Sequence, residues 1–335
     1  MHIREIDLCD ERLTHRFWEL GKAADEQNRP WSSYWSWQAA QAAYTAPSRT
    51  SAKILLGAFE GEALLGGAEI SLPLLENTDS ARLEVYVDPL HQRAGTGAAL
   101  AEAALGAATA RGRTLFDTEV ATPRNAPESP ALRLARRLGF GTGVVNDMKV
   151  ADLDETEQSW QQILGETAVA AGGYTLRSWW GRCPDDLVAG FCRIIETFFT
   201  EVPSGDLAFE PQRWDEERLR EKEARFDRAG RHETTTLAVS PEGEVVGMTE
   251  AMVSEHEPTR AFQGSTIVAP AHRGHRLGLR LKATNHLRLR ERFPACRTIL
   301  TGNSEANEPM NAVNDRLGFR PVEQVHEMQK KLETT

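Results

Sequence analysis

The sequence has little that would place the chain in a membrane, outside the cell or on nucleic acid. No apolar run approaches the roughly 20 residues that span a bilayer, and Met1–Asp7 is charged instead of forming an apolar signal core. We therefore expect a cytoplasmic protein. Lys and Arg number 39 against 49 Asp and Glu, and this net charge of −10 argues against a nucleic-acid-binding face. Such acidity suits a cationic partner such as an amine, and equally it suits simple solubility.

Cysteine is also scarce. The four cysteines, at positions 9, 183, 192 and 296, show no metal-ligand spacing, so we expect free thiols and neither disulfides nor a metal site. The dinucleotide-binding pattern Gly-x-Gly-x-x-Gly is absent at the first strand–helix turn, which argues against a dinucleotide fold. A length of 335 residues allows two domains of ordinary size.

One pattern in the sequence occurs twice. Val85–Pro89 leads into the glycine-bearing segment Gln92–Gly97, and Thr266–Pro270 leads into Arg273–Gly278. The prolines lie 181 residues apart (270 − 89), as do the final glycines (278 − 97). In each copy a predicted strand runs through a loop into a helix, whose free N–H groups and positive dipole end can hold a phosphate.

The repeat extends over most of the chain. Gly66 and Gly247 each follow a Glu-Gly-Glu turn between two predicted strands, and Arg-Leu-Gly-Phe ends each copy at 137–140 and 316–319. Ordered matches at a near-constant offset indicate tandem domains. We predict two mixed α/β domains, each an α+β arrangement around a mixed sheet. The predicted boundaries are residues 1–150, a linker with a short helix near Trp160 at 151–173, and residues 174–335.

The order of these elements resembles the GNAT superfamily of N-acyltransferases. The acyl-CoA loop of that superfamily reads Gln/Arg-x-x-Gly-x-Gly/Ala between a strand and a helix, and Gln92–Gly97 fits it. The resemblance covers nearly the full chain, once per half. It implies acetyl-CoA or another acyl-CoA as cosubstrate, no metal, and a pyrophosphate held at the loop. The first-half residues that it implies are Val85, Val87, Gln92, Arg93, Ala94, Gly95, Thr96, Gly97 and Ala98.

The second loop departs from this pattern. Arg276 stands where the family has its first glycine, and Gly274 can supply part of the lost flexibility. Arg276 would either add charge to the pyrophosphate or block the approach of the backbone. The helix after the loop is rich in basic residues, which either hold the adenosine phosphates or form a solvated face. The second-half residues implied are Ile267, Val268, Arg273, Gly274, His275, Arg276, Leu277, Gly278 and Leu279.

Asparagines distinguish the second half. Asn303, Asn307, Met310 and Asn314 resemble the superfamily's region beside the pantetheine arm, and the last three share one helix face. Many members carry a tyrosine, the general acid, four residues before the glycine of Leu-Gly-Phe. Asn314 holds that position and is a catalytic candidate, whereas the first half has Ala135. Another group or water must then protonate the thiolate. We expect the second half to be catalytic, as in mycothiol synthase-like tandem enzymes with one competent half.

Carboxylates on predicted strands are the candidate bases. The attacking amine must lose a proton at neutral pH, and Glu250, on a second-half strand, is the preferred acceptor. Glu84 matches the position of a catalytic glutamate in relatives, where the second half has Ser265, a poor base. The alternative for each is a solvated strand carboxylate. In this superfamily a splayed, bulged strand supplies a backbone N–H for the oxyanion, which would lie near Val268 or Val87.

Two segments are candidates for contact with the acceptor. The aromatic-dense Arg29–Trp37 forms either a wall for the acceptor or part of the core. Asp206 or Glu210, on the loop Pro203–Glu210 over the second cleft, would contact a cationic acceptor.

The expected function is acyl-CoA-dependent N-acyl transfer, most simply of acetyl, to a primary amine of a small molecule by direct attack on the thioester. One alternative is a catalytically silent acyl-CoA-binding or regulatory protein, which the missing tyrosine in both halves favours. The other is a protein-lysine acetyltransferase. The expected partner is a small-molecule amine, with no nucleic acid and no membrane, and the protein is expected to be a monomer or homodimer.

Overall fold

Two mixed α/β units account for the residues that the structure, a computed structural model, describes: 1–126, 128–201 and 205–332. The fold class predicted from the sequence is confirmed. The units do not simply follow the chain. The described part of the first consists of residues 1–146, 205–210 and 323–332, and that of the second of residues 147–201 and 211–322.

The first unit is a mixed sheet with helices. Its strands are β1 (His2–Ile6), β2 (Ser51–Glu60), β3 (Ala63–Pro73), β4 (Ser80–Val87), β5 (Leu115–Pro123) and, from Glu323 on, β12 (Arg320–Lys331). Its helices are α1 (Glu11–Glu26), α2 (Trp37–Thr45), α3 (Thr96–Thr109) and α4 (Pro130–Arg137). The strand order is β1-β2-β3-β4-β5-β12. The β4–β5 pair is parallel, and the other neighbouring pairs are antiparallel.

Apolar periodicity and helix caps explain these elements. Helix α3 is rich in alanine, and its Leu100 and Ala104 are fully buried against the sheet in one apolar cluster with Phe116. Ser129 caps α4, because its hydroxyl accepts the N–H of Leu132 at 3.1 Å. Gly139, at φ +87°, follows α4 in the left-handed conformation that ends helices, so that Phe140 turns back into the core.

The second unit repeats this plan. Its strands are β6 (Gly141–Asp152, from Asp147 on), β7 (Thr175–Trp180), β8 (Arg231–Val239), β9 (Val245–Ser254), β10 (Glu257–Val268) and β11 (Thr298–Ser304). Its helices are α5 (Leu153–Glu166), α6 (Val188–Glu201), α7 (Glu216–Arg228), α8 (Leu277–Arg292) and α9 (Glu308–Arg316). The strand order is β6-β11-β10-β9-β8-β7, with β10 and β11 parallel.

The last strand of each sequence repeat completes the sheet of the other unit. Residues Glu323–Lys331 of β12 pair antiparallel with Leu115–Pro123 of β5 in the first unit. In the second unit β11 lies between β10 and β6, so that β6 completes this sheet. The domain boundaries predicted from the sequence are the boundaries of the two repeats, and they remain a prediction. The compact units divide the last strands of the repeats differently.

The segment predicted as a linker, 151–173, contains helix α5. Trp160 on this helix is fully buried, and its indole N–H donates to the carbonyl of Leu317 at 3.1 Å. Burying the indole against α8 and α9 makes α5 part of the second unit's core. Over the three described stretches of chain, no helix has the length and apolar content needed to cross a bilayer.

Candidate active site

In the second unit the parallel strands β10 and β11 pair over part of their length and then separate. We call the opening between them the wedge, and it marks the site. The β10–β11 ladder covers only Arg260–Phe262, although β10 continues to Val268 alongside β9. A register shift between Gln263 and Thr266 places a bulge at Gly264 and Ser265. Beyond Phe262 the β11-facing edge of β10 can therefore pair with an extended ligand.

The bulge lies earlier in β10 than the sequence analysis expected, which was near Val268. Glycine suits this bulge because a Cβ at position 264 would come within 3.2 Å of the Cβ of Glu250 on β9. The Gln263 side chain fixes the bulge by donating to the carbonyls of Glu250 at 2.6 Å and Gly264 at 3.1 Å. These contacts explain why the irregularity sits here.

The first unit has the wedge without the bulge. Its β4–β5 ladder covers only Ser80–Arg82, while β4 runs on to Val87. The β3–β4 register is continuous from Gly66–Val87 to Ser71–Arg82. The bulge expected near Val87 is therefore not found in this pairing, and Glu84, which stands where the second unit has Ser265, pairs regularly with Glu69.

The two glycine-bearing loops have the same backbone conformation. Where the first loop has arginine the second has glycine, and where the first has glycine the second has arginine. Arg93 and Gly95 have φ of +69° and +89°, and Gly274 and Arg276, at the equivalent positions, have φ of +88° and +56°. The left-handed conformation costs a residue with a Cβ roughly 1–2 kcal/mol. Arg276 therefore does not change the path of the second loop, and each loop carries one strained arginine.

Each loop is attached to the strand before it by its first side chain. Gln92 donates to the carbonyl of Val87 at 3.3 Å, and Arg273 donates to that of Val268 at 3.2 Å. After the loops, α3 begins at Thr96 and α8 at Leu277. The first N–H groups of a helix have no partner within it, so both loops present N–H donors and a positive dipole end. This is the chemistry that a pyrophosphate requires.

The other predicted cofactor residues divide into loop and core positions. Exposed in the loops are Arg93, Ala94, Gly95, Arg273, Gly274, His275 and Arg276. Half-buried are Val85, Val87, Gly97, Ala98, Ile267, Val268 and Gly278. Thr96, Leu277 and Leu279 are buried, and Gln92 is exposed. A Cβ at Gly95 or Gly274 would meet nothing within 4 Å, so both loops face open space that a ligand can approach.

Three basic residues of α8, namely Arg280, Lys282 and Arg290, are engaged within the second unit. Arg280 donates to the carbonyl of Leu164 at 2.6 Å, and Arg290 pairs with Asp154 and Glu157 at 2.7 and 3.2 Å. Lys282 is turned into the core. Holding the adenosine phosphates would require Arg280 and Arg290 to give up these contacts.

The asparagines of the second unit form a hydrogen-bonded chain. Asn314 is fully buried and donates to the side-chain oxygen of Asn303 at 2.7 Å. Asn303 donates in turn to Asn311 at 2.7 Å. A lysine side chain lies at each end, because Lys282 donates to Asn314 and Lys149 donates to Asn311, both at 2.5 Å. The side chain of Asn314 thus points into this set of hydrogen-bonded asparagines and not toward solvent.

Lys149 and Asn311 were not among the predicted residues. Asn311 directly follows Met310 in a run of asparagines, which is a signal that the sequence offered. Lys149 lies on β6, in the first sequence repeat, so its place in the second unit could not be read from the repeat. Asn307 caps α9 by accepting the N–H of Met310 at 3.3 Å, and both residues are half-buried.

Burial changes the titration of the groups at this network. It lowers the pKa of Lys282 to about 7, with help from the charge of Lys149. The nearby His286 is also fully buried, and burial together with Lys282 lowers its pKa well below the ordinary value. His286 remains neutral and contacts the side-chain oxygen of Gln263, the residue at the bulge, at 2.8 Å.

Glu250 belongs to a buried cluster of two carboxylates and one ammonium. Lys222 of α7 donates to Glu250 at 2.5 Å and to Glu233 of β8 at 2.9 Å. Burial and the neighbouring Glu250 raise the pKa of Glu233 to about 7 in spite of Lys222. Burial opposes the ammonium, but the two carboxylates raise the pKa of Lys222. Glu233 was missed by the sequence analysis, since its partners lie on other elements.

Glu84 lies in a cluster of the first unit that lowers the pKa of its carboxyl group, whereas the cluster of the second unit raises that of Glu233. It accepts hydrogen bonds from Arg82 at 3.0 Å and from the hydroxyl of Tyr86 at 2.6 Å. Burial would raise the pKa of Glu84, but Arg82 and Tyr86 outweigh it and hold that pKa below the ordinary value. The Tyr34 ring packs edge-on against Tyr86 with centroids 5.5 Å apart. Glu84 is thus kept ionised, which makes it a weak proton acceptor.

The candidate acceptor segments have mixed placements. From Arg29–Trp37, Tyr34 reaches the cluster of Glu84, whereas Trp37 packs against His15 at 4.7 Å between ring centroids. Residues 205–210 belong to the first unit, where Glu210 and Asn77 exchange hydrogen bonds. The expectation that this loop covers the second cleft was wrong, because its contacts are with Asn77 and Gly143. Pro203 and Ser204 lie outside the described residues.

Metal-binding geometry was sought over the same described ranges. They contain no group of three or more His, Cys, Asp or Glu that could hold a metal ion.

Comparison with known proteins agrees with this geometry. The sequence model of the acetyltransferase (GNAT) family matches twice, over residues 15–140 and 195–319. A comparison with curated protein sequences finds no match.

Solved structures of similar fold include one described as a tandem protein. A tandem GNAT protein from the clavulanic acid biosynthesis pathway is similar with a TM-score of 0.82 at 23% identity, covering 100% of this chain and 99% of that one. A GCN5-related N-acetyltransferase from Sphaerobacter thermophilus has a TM-score of 0.67 at 16% identity, covering 99% of this chain and 96% of that one. At these identities the likeness concerns the fold.

Proposed function

Because the chain belongs to the acetyltransferase (GNAT) family, matched once in each half, we propose that it transfers an acyl group from an acyl-CoA to the primary amine of a small molecule. Acetyl-CoA is the simplest donor. The observation that carries the proposal is the β10–β11 wedge of the second unit. It ends at a helix N-terminus on one side and lies beside a buried carboxylate, Glu250, on the other.

We assign turnover to the second unit. Its wedge has a bulge at Gly264, where the strand can offer a backbone N–H to a thioester oxygen. Its asparagine chain supplies amides of the kind that pair with pantetheine. The first unit has Leu132 and Ala135 where the second has Asn311 and Asn314, which supports a structural role for it.

The residues of the second unit have separate tasks in this proposal. The loop Arg273–Gly278 and the first turn of α8 would hold the pyrophosphate, and the edge of β10 would pair with the pantetheine arm. The bound acyl-CoA supplies an activated thioester carbonyl. Glu250 would take the proton from the acceptor ammonium, so that a neutral amine attacks. The acidic cluster around Glu250 also favours a cationic acceptor over an anionic one.

Thiol release provides the test. Purified protein is incubated with acetyl-CoA and one amine at a time from a panel of spermidine, glucosamine, tyramine and lysine, and free thiol is followed with a chromogenic disulfide. We expect amine-dependent release with at least one amine. The Glu250→Gln variant should lose about 100-fold or more in kcat/KM, as expected when a general base is removed. Release that does not depend on any amine would contradict the proposal.

A second candidate function is supported by one observation. Neither Ala135 nor Asn314 can donate an acidic proton as tyrosine does, and both are buried. A catalytically silent acyl-CoA-binding protein would account for this. It would bind acetyl-CoA in calorimetry without releasing thiol in the presence of any amine tested.

A further inference from the structure

We propose that Glu233 and Glu250 of the second unit act as one proton-sharing pair that receives the proton of the acceptor amine, with Lys222 holding the pair together. This inference rests on the proposed function and adds Glu233 to it. Glu233 would be a second carboxylate of the base, placed on β8 next to the strand that carries Glu250.

The geometry brings the three side chains together from three elements. Lys222 on α7 reaches Oε1 of Glu233 at 2.9 Å and Oε1 of Glu250 at 2.5 Å. Because both carboxyl groups contact the same ammonium, they lie close together, and Glu250 raises the pKa of Glu233. A hydrogen bond between two carboxyl groups requires a proton on one of them, because two carboxylates offer only acceptors. The arrangement is thus built for one shared proton.

The balance of charges also favours one proton shared by the two carboxyl groups. Two carboxylates face a single ammonium, and burial makes the unbalanced negative charge costly. Arg225, also on α7, adds a weaker positive field at Glu233, and Arg231 at the start of β8 lies near Arg225. Like charges this close titrate as a pair, so the last proton leaves near neutral pH.

The cluster is shielded but reachable. The side chains of Lys222, Glu233 and Glu250 keep 13%, 14% and 10% of their surface exposed, which is enough for a proton to pass and too little for free hydration. Glu250 also lies directly beside the bulge, since a Cβ on Gly264 would come within 3.2 Å of the Cβ of Glu250. A proton taken here leaves an amine close to the wedge.

The step balances as follows. The fully ionised pair takes one proton from R–NH3⁺ and becomes singly protonated, leaving neutral R–NH2. The amine nitrogen then forms a bond to the thioester carbon, and the C–S bond breaks. The second amine proton goes to the sulfur, so the products are the amide and the free thiol of CoA. The pair returns its proton to water.

The first unit provides a matched control. Glu69 is equivalent to Glu250, and it too pairs with a lysine, Lys53. Its cross-strand neighbour is Glu84 on β4, which Arg82 and Tyr86 already hold ionised. The Glu69→Gln variant therefore removes a carboxylate from the same position of the fold without touching the proton-sharing pair.

The decisive readout is the pH dependence of kcat/KM, with acetyl-CoA and an amine that the thiol-release panel identifies. Wild-type protein should show a limb that rises with pH through about 7, because only the fully ionised pair accepts a proton. In Glu233→Gln, Glu250 stands alone beside Lys222, so the limb should move to lower pH by about 1–2 units. The plateau should also fall by about tenfold or more, because the remaining base is weaker. Glu69→Gln should keep the wild-type midpoint.

A second measurement does not require turnover. Infrared difference spectra of protein labelled with ¹³C-carboxyl glutamate should show a protonated carboxyl band that disappears near pH 7 in the wild type and in Glu69→Gln, but not in Glu233→Gln. An unchanged midpoint in Glu233→Gln, or no such band in the wild type, would overturn the inference while the acyltransferase function stands. If no amine is turned over, the proposed function falls, and with it the role of the pair as its base, even where the band is found.

Discussion

At four matching positions between the sheet and the two helices that follow the wedge, the two units have side chains of different character. In the first unit the space there is apolar, with Ala101, Ala104, Leu132, Ala135 and Met328 all buried. In the second unit, the positions that match the first four in the repeat hold Lys282, Asn285, Asn311 and Asn314. One backbone plan thus accommodates either filling. The fold does not need the polar residues, so their presence in one unit points to function.

The carboxylates make a second contrast. In the first unit Glu69 and Glu84 face each other across β3 and β4, and each has its own basic partner, Lys53 or Arg82. In the second unit the pair has moved to β8 and β9, and Glu233 and Glu250 share Lys222. In the first arrangement Arg82 and Tyr86 hold the pKa of Glu84 below its ordinary value. The second leaves one proton free to move near neutral pH.

The largest effect should come from placing a polar side chain in the apolar space of the first unit. Leu132 is fully buried in the apolar cluster and corresponds to Asn311. Leu132→Asn loses apolar contacts and buries an amide without partners, so the free energy of unfolding should fall by about 3–5 kcal/mol. Urea denaturation measures it. A loss below about 1 kcal/mol would show that the first unit tolerates polar filling and would break the contrast.

Replacing Lys282 should remove a pH dependence of stability. Its folded pKa is about 7 and its ordinary value is 10.5, so between these values the unfolded chain binds more protons and stability rises with pH. The slope is about 1.4 kcal/mol per pH unit. Lys282→Met should lose this slope, as measured by urea denaturation between pH 7.5 and 10. An unchanged slope would mean that Lys282 is charged in the folded protein.

The smallest effect concerns the loops. Each loop has two left-handed residues, one glycine and one arginine, and the glycine is the second of them in the first loop (Gly95) and the first of them in the second loop (Gly274). Gly95→Ala and Gly274→Ala should each cost about 1 kcal/mol, through strain and not through a clash. Thermal unfolding compares the two variants. Clearly unequal losses would show that the loops differ in more than the exchange of two residues.

The repeat in the sequence was enough to predict the fold class, both loops and the place of Glu250. It could not predict which sheet receives β6 or β12, because the alternation of a strand specifies its faces and not its neighbours. It also missed Glu233 and Lys149. Their partners come from α7 and α9, and a contact between distant elements leaves no local pattern. Asn314, chosen as a catalytic candidate by its position, is buried because Lys282 provides it with an internal partner.

The most direct test of the contrast between the units blocks one loop at a time. Gly278→Trp and Gly97→Trp each place a bulky side chain in the first turn of the helix that follows a loop, at equivalent positions. Thiol release from acetyl-CoA with the best amine is then compared, and thermal unfolding confirms that both variants are folded. We predict that Gly278→Trp abolishes release and Gly97→Trp retains most of it. Loss in Gly97→Trp with activity kept in Gly278→Trp would contradict the assignment of turnover to the second unit.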